Sequence, residues 1–222
     1  MNKKTYEKIE NYMLEMTEDF AHDPLHIYRV LYQSLRISKT HKEVNRDILI
    51  ASCLLHDIGR DSQFQNPQLC HAVEGAKMAY AFLKKLGWNE KFCIHVQNCI
   101  ATHRFRIDNP PKTIEAKILF DSDKLDVTGA LGIARSLIYK GQVGEPLYTV
   151  DENNNIQDGK DLSAPESFFK EYHFKLIKLY DRFYTKEARD IAQRRKKLTI
   201  YFFDELMKEV TISDLENLLS FQ

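Results

Sequence analysis

The sequence carries no excess of either charge, no long apolar run and few cysteines. Lys and Arg total 32 and Asp and Glu also total 32 in 222 residues, so no global field draws the chain towards nucleic acid or an anionic membrane. A helix that spans a bilayer needs about 20 consecutive apolar residues, and no run comes near that length. The start, MNKKTYEKIENYMLEM, has a lysine pair but no apolar segment of a secretory signal, and reads as an amphipathic first helix. The four cysteines, Cys53, Cys70, Cys93 and Cys99, show no C-x-x-C spacing, and three lie in apolar helical stretches. Such thiols are expected to be buried and reduced, as in a cytoplasmic protein. No internal repeat and no series of alternating strands with hairpin turns is present. The expectation is one all-α domain over residues 1–222, a bundle of helices.

What is there is helix after helix. Ile48, Leu49, Cys53 and Leu55 lie in one apolar segment, and Ala72, Ala76, Ala79, Leu83 and Leu86 repeat at spacings of three and four. Asn89 is a good N-cap for a third segment running through Val96 and Ile100, with Trp88 placed to staple against Cys93. Thr113 can cap "TIEAKILFDSDKLD", and "VTGALGIARSLIYK" follows almost directly. Leu176, Leu179, Tyr180 and Phe183 continue the pattern before a long helix from about Lys186 towards Glu209 and a short one near Ser213. Two stretches read as irregular. One is "GRDSQFQNPQLC" at 59–70; the other, at 141–167, is rich in Gly, Asn, Asp and Pro and serves either as a lid or as a solvated excursion with a small hairpin.

A histidine followed by an aspartate occurs twice, in "AHDPLHIYRV" (21–30) and "LLHDIGR" (54–60). In the first, Asp23 before Pro24 reads as an N-cap followed by a first-turn proline, which commits Asp23 to capping and leaves His26, inside the helix, as the chemical residue. In the second, His56 and Asp57 close a buried apolar helix, with Gly59 placed to end it. Adjacent helical residues diverge by about 100°, so the two side chains reach one ion most easily at a helix end. A buried His–Asp hydrogen bond without metal fits this local pattern as well.

The remainder of the chain adds His71 at a helix start, His103 at a helix end, and Asp121, Asp123 and Asp126 in "FDSDKLD". With "AHDPLHIYRV", "LLHDIGR", "HAVEGA", "KTIEAKILFDSDKLDVTGALGIAR" and "FKLIKLY" in that order, the chain resembles a bacterial hydrolase subgroup of the HD superfamily of metal-dependent phosphohydrolases over nearly its whole length. The resemblance implies a first metal held by His26, His56, Asp57 and Asp123. The family pattern D-A-D-[RK]-L puts the ligand on its second aspartate, and Ser122 here replaces the alanine. Residues three apart share a helix face whereas residues two apart do not, so Asp126 can approach the cavity of Asp123 and is a catalytic candidate for orienting water or substrate, while Asp121 is either structural or a support behind the ligands. His71 and His103 match the positions at which binuclear relatives hold a second metal with Asp57 bridging; in mononuclear relatives they act on substrate or in acid–base roles. Arg60, Arg29 and Arg104 are candidates for substrate phosphates and Lys124, beside Asp123, for the catalytic machinery.

Imidazole with carboxylate suits Mn, Fe, Co, Ni or Zn better than a pure oxygen site would, with Mg not distinguished. Such an ion makes its water acidic near neutral pH and polarises a phosphoryl oxygen. The implied activity is hydrolysis of phosphate esters or phosphoanhydrides, and by family analogy of a nucleotide. The alternatives are a di-iron oxygenase on the same scaffold, or a regulator that binds nucleotide or metal without turnover. No membrane or nucleic-acid partner is expected; a homodimer stays open, although no heptad argues for one. His41, His95, His173 and the "RRKK" of 194–197 are assigned no functional role, and Phe202, Phe203 and Leu206 read as core.

Overall fold

Short polar caps set where the helices begin. A computed structural model describes residues 1–17, 24–104 and 109–211. Its regular structure is helical, and among the described residues the sole β contact is the isolated bridge Val150–Ile156, so the class is all-α as expected. In chain order come α1 (Lys3–Glu15), α2 (Pro24–Ile37), α3 (Arg46–Leu55), α4 (Arg60–Gln65), α5 (His71–Lys85), α6 (Glu90–Ala101), α7 (Ile114–Leu125), α8 (Gly129–Gln142), α9 (Phe168–Glu171) and α10 (Lys186–Val210). Asn45 accepts from the N–H groups of Asp47 and Ile48, Asn89 from Phe92 and Thr113 from Ala116; each cap stabilises its helix by about 1 kcal/mol. α5 ends in a Schellman turn: Trp88 N–H donates to Leu83 O, Gly87 N–H to Lys84 O, and Gly87 takes φ +88.

The described residues form two compact units. The first comprises 1–126 with 183–188, the second 127–182 with 189 onwards. In the first, α5 and α6 pack as an antiparallel pair, and α3 packs against α1, α2, α6 and α7. Ile9, Met13, Val30, Leu49, Leu54, Leu83, Val96, Ile100 and Leu119 are fully buried there. Burying each such side chain contributes on the order of 1.5–3 kcal/mol. In the second unit Ile133, Phe168, Phe169, Tyr172, Leu176 and Phe203 form the core, with the rings of Tyr172 and Phe203 stacked at 3.8 Å. Lys140, buried, pairs with Glu145 and Glu171. Within 141–167 the chain turns at the Val150–Ile156 bridge, and residues 152–155 and 160–162 are exposed.

Asp121 is fully buried and accepts hydrogen bonds from Tyr184 N–H (2.9 Å), Thr185 N–H (2.7 Å) and the Thr185 hydroxyl (2.7 Å). Thr185 Oγ1 in turn accepts from Ala188 N–H in the first turn of α10. The carboxylate thus holds residues 183–188 on α7, a structural role and one of the two expected of it. Asp121→Ala strands these donors, and an unsatisfied buried donor costs about 1–3 kcal/mol. Chemical denaturation is expected to show a loss of about 2–4 kcal/mol on that basis, with metal content unchanged; a loss of metal at intact stability would place Asp121 at the metal centre instead.

Three local expectations are corrected. The stretch 59–70 contains α4 and is not irregular throughout. Gly59 does not end α3 through a left-handed turn: its φ is −88, and it is glycine because a Cβ would stand 2.3 Å from His71 O and 2.4 Å from Gly75 N. Trp88 stacks on Phe92 at 3.9 Å, while the Cys93 sulfur contacts the Trp88 carbonyl, because two flat rings share more area than a ring and a thiol. The predicted cap Asp23, His22 and the short helix near Ser213 lie outside the described residues.

Candidate metal centre

Four helix ends bring the imidazoles of the first unit together. His26 sits in the first turn of α2, His56 at the C-cap of α3, His71 at the first position of α5, and His103 two residues beyond α6. All four are buried, as are Asp57, Asp123 and Asp126. Each ring is anchored through Nδ1. His56 Nδ1 lies 2.7 Å from Cys53 O, His103 Nδ1 2.6 Å from Ile100 O, His26 Nδ1 2.7 Å from Asp126 Oδ2, and His71 Nδ1 2.6 Å from Gln63 Oε1. Donating Nδ1–H to these oxygens turns each Nε2 inward, the nitrogen left for a metal.

Two donor groups result. His26, His56 and Asp123 offer ligand atoms within 4.8 Å of one another, and so do Asp57, His71 and His103. Asp57 serves both. Its Oδ2 lies 3.5 Å from His26 Nε2 and 3.4 Å from His56 Nε2, and its Oδ1 lies 3.6 Å from His71 Nε2 and 3.5 Å from His103 Nε2. His26 Nε2 is 3.3 Å from Asp123 Oδ1 and 3.4 Å from His56 Nε2. A tetrahedron of donors with bonds of about 2.1 Å has edges of about 3.4 Å, so these separations fit a divalent ion. Asp57 Oδ1 is also a buried carboxylate oxygen with no hydrogen-bond partner, an arrangement that is costly unless a cation meets it. The residues fit a metal at the first group and a second metal at the other.

The charges are arranged accordingly. Burial would raise the Asp57 carboxyl, but His56 and Arg60 hold it well below the usual range; for Asp123, Lys124 and His26 do the same against burial. Burial pushes His56 down to about 4 and His71 to about 3, so both are neutral at physiological pH. His26 goes the other way: burial lowers it, but hydrogen bonds to Asp123, Asp126 and Asp57 prevail and raise it to about 11. In the metal-free chain His26 is therefore an imidazolium held by three carboxylates. Metal uptake at pH 7–8 is expected to release about one proton, from His26, and calorimetry in buffers of different ionisation enthalpy measures it; release of none would mean His26 is not displaced. Metal-free stability should peak near pH 6.5. Below that, unfolding gains protons on His56 and His71, and stability falls towards pH 4 and 3. Above it, the advantage of the His26 proton is lost as pH rises towards 11.

Three of the four expected cationic residues lie on these acids, and Arg104 does not. Arg60 Nε donates to Asp57 Oδ2 at 2.6 Å and Lys124 Nζ to Asp123 Oδ2 at 2.7 Å. Arg29 donates through Nε and Nη2 to the two oxygens of Asp126, which in turn holds His26. Arg104 Nη1 lies 3.6 Å from Cys70 Sγ. His95 instead meets Glu115 and Thr113, and His41, half-buried rather than exposed, meets Glu187. His173 belongs to the second unit. Sequence reading missed Gln63 altogether. It stands eight residues before His71 in a stretch taken as irregular, and only the docking of α4 on α5 shows the contact.

The HD domain family model matches residues 25–128. The sequence is 29% identical over 203 residues to YpgQ of Bacillus subtilis, covering 90% of this chain and 89% of the relative. Among solved structures, an HD-superfamily hydrolase from Bacillus thuringiensis superposes with a TM-score of 0.68 at 29% identity, covering 93% of this chain and 97% of that one. YpgQ in complex with ADP superposes at 0.69 over 93% and 98%, and the 24% identity of that superposition shows the shared fold. No helix among the described residues is long and apolar enough to cross a membrane.

Proposed function

We propose that this chain, whose residues 25–128 match the HD domain model, is a member of the HD superfamily and hydrolyses a phosphate ester or phosphoanhydride bond of a nucleotide with the help of divalent metal. The observation that carries the reading is the pair of buried donor groups sharing Asp57, with every imidazole Nε2 facing inward. A bound divalent ion would supply an acidic water at neutral pH and a Lewis acid for the phosphoryl oxygen. His26, His56, Asp57 and Asp123 would hold the first ion, and Asp57, His71 and His103 the second.

The remaining residues bind and orient. Arg60 uses one N–H on Asp57 and has a half-exposed guanidinium, so its other donors suit a substrate phosphate. Arg104, whose Nη1 lies 3.6 Å from the sulfur of Cys70 next to His71 in sequence, takes the same role. Lys124 keeps Asp123 ionised and neutralises charge beside it. Asp126 fixes the His26 ring, and Arg29 fixes Asp126 while adding positive charge at the site's edge. The nucleotide is supported by the ADP complex of YpgQ. A cytoplasmic location is supported by the four cysteines, all unpaired.

The test is one preparation, stripped with chelator and reloaded in turn with Mn, Fe, Co, Ni, Zn or Mg. Each form is given phosphate monoesters, nucleoside di- and triphosphates and cyclic dinucleotides, with release of phosphate or pyrophosphate as readout. Turnover by a reloaded form and none by the stripped form is expected. Oxygen uptake by the iron form without phosphate release would move the reading to an oxygenase. Nucleotide binding without turnover in every form would move it to a regulator.

A further inference from the structure

The two donor groups differ in what stands behind them. In the first, His26 Nδ1 donates to Asp126 Oδ2 at 2.7 Å, and Asp126 is clamped by Arg29 at 2.7 and 2.9 Å. In the second, the ring that comes from α5, His71, is backed by the neutral amide of Gln63 at 2.6 Å. A carboxylate behind a ligating imidazole raises its basicity as a donor, whereas an amide orients the ring without adding charge. The surrounding charges run the same way. The first group contains Asp123 and faces Asp57 Oδ2, with Asp126 behind it. The second has Asp57 as its carboxylate, and both Arg60 and Arg104 act on His71.

Gln63 reaches His71 because of how α4 is seated. Gly59, just before α4, lies against the backbone of His71 and Gly75 with no room for a Cβ. Arg60, in the first turn of α4, holds Asp57 Oδ2, and Gln63, one turn on, holds His71. One short helix therefore controls a shared ligand and a ligand of the second group.

We infer that the two metal positions are unequal: the position of His26, His56 and Asp123 fills first, and that of His71 and His103 is the weaker, exchangeable one, with Gln63 the positioning residue that sets its affinity. This rests on the metal-dependent reading above and goes beyond it by assigning an order of filling and the side chain that tunes it.

The test is titration of the stripped full-length chain with Mn2+, following free Mn2+ by electron paramagnetic resonance. Two phases at least about tenfold apart in Kd are expected for the unaltered chain. Gln63→Ala should weaken only the weaker phase, by about 10- to 100-fold, the range for loss of such a partner. Gln63→Glu, which keeps the volume and adds the carboxylate, should tighten that phase by about tenfold. Asp126→Asn should weaken the tighter phase. An unaltered chain that binds one ion, or two with equal affinity, overturns the inference, as does a weaker phase that neither Gln63 variant changes. Should Gln63→Ala lose helicity, Gln63→Glu decides alone, since an unchanged weaker phase in it is equally fatal. The outcomes separate from those for function. Hydrolysis with a single phase leaves the function standing and removes the inference, while two phases without hydrolysis do the reverse.

Discussion

Asp57→Ala is expected to abolish metal binding at both positions and to lower kcat/KM by about 10^3-fold or more. Its two oxygens face both donor groups, Oδ2 towards His26 and His56 and Oδ1 towards His71 and His103, so one side chain is shared by both. An ion that stabilises charge on a transferring phosphoryl group is worth several kcal/mol, and each 1.36 kcal/mol is about tenfold in rate. Four buried imidazoles with one carboxylate fewer also lose the charge that favours a cation. The variant should retain its helicity, since Asp57 lies between α3 and α4 and caps neither. Asp57→Asn, isosteric and uncharged, separates loss of charge from loss of volume. Elemental analysis and turnover measured on one preparation check this. A variant that kept metal and full turnover would place the reaction elsewhere in the chain.

Gly59→Ala should be the most damaging single-methyl change in the first unit. The added Cβ would stand 2.3 Å from His71 O and 2.4 Å from Gly75 N, both backbone atoms, which move only if α5 moves. The φ of −88 suits alanine, so the whole penalty is steric. Forcing a methyl into a packed contact costs about 1–3 kcal/mol, occasionally more, and a backbone-to-backbone clash belongs at the upper end. About 3 kcal/mol corresponds to a fall in Tm of about 6–12 °C for a chain of this size. Since the clash separates α4 from α5, metal at the His71 position should weaken with stability. Gly75→Ala gives the internal comparison: its nearest contact is 3.1 Å, to Gly59 N, and a markedly smaller loss is expected. Equal losses from the two substitutions would show that the contact relaxes freely and that Gly59 is not held as described.

Much of the helical framework can be read from local pattern. Asn89 and Thr113 cap where their side chains predict, and α10 spans Lys186–Val210 as its periodicity requires. Local pattern fails where one side chain's partner is distant in sequence. Gly59 looks like a helix terminator, because a glycine after an apolar run usually is one; its actual constraint is the backbone of residues 71 and 75. Asp126 and Arg29 each look able to meet substrate, yet they meet one another, 97 residues apart. Gln63 carries no signal at all, since an amide in a polar stretch is ordinary until a ring is placed against it.

The sequence by itself determined the helical class and the chemical types of the donors, because helix propensity, capping and residue chemistry act over a few neighbouring positions. The ordered histidines and aspartates also brought the family into view through motif resemblance. Only the tertiary structure decided which nitrogen of each imidazole faces the others, that Asp57 stands between two donor groups, and that a carboxylate backs one group where an amide backs the other. Apart from the carbonyls of Cys53 and Ile100, three residues before His56 and His103, these are contacts between segments distant in sequence, set by packing that no local pattern encodes.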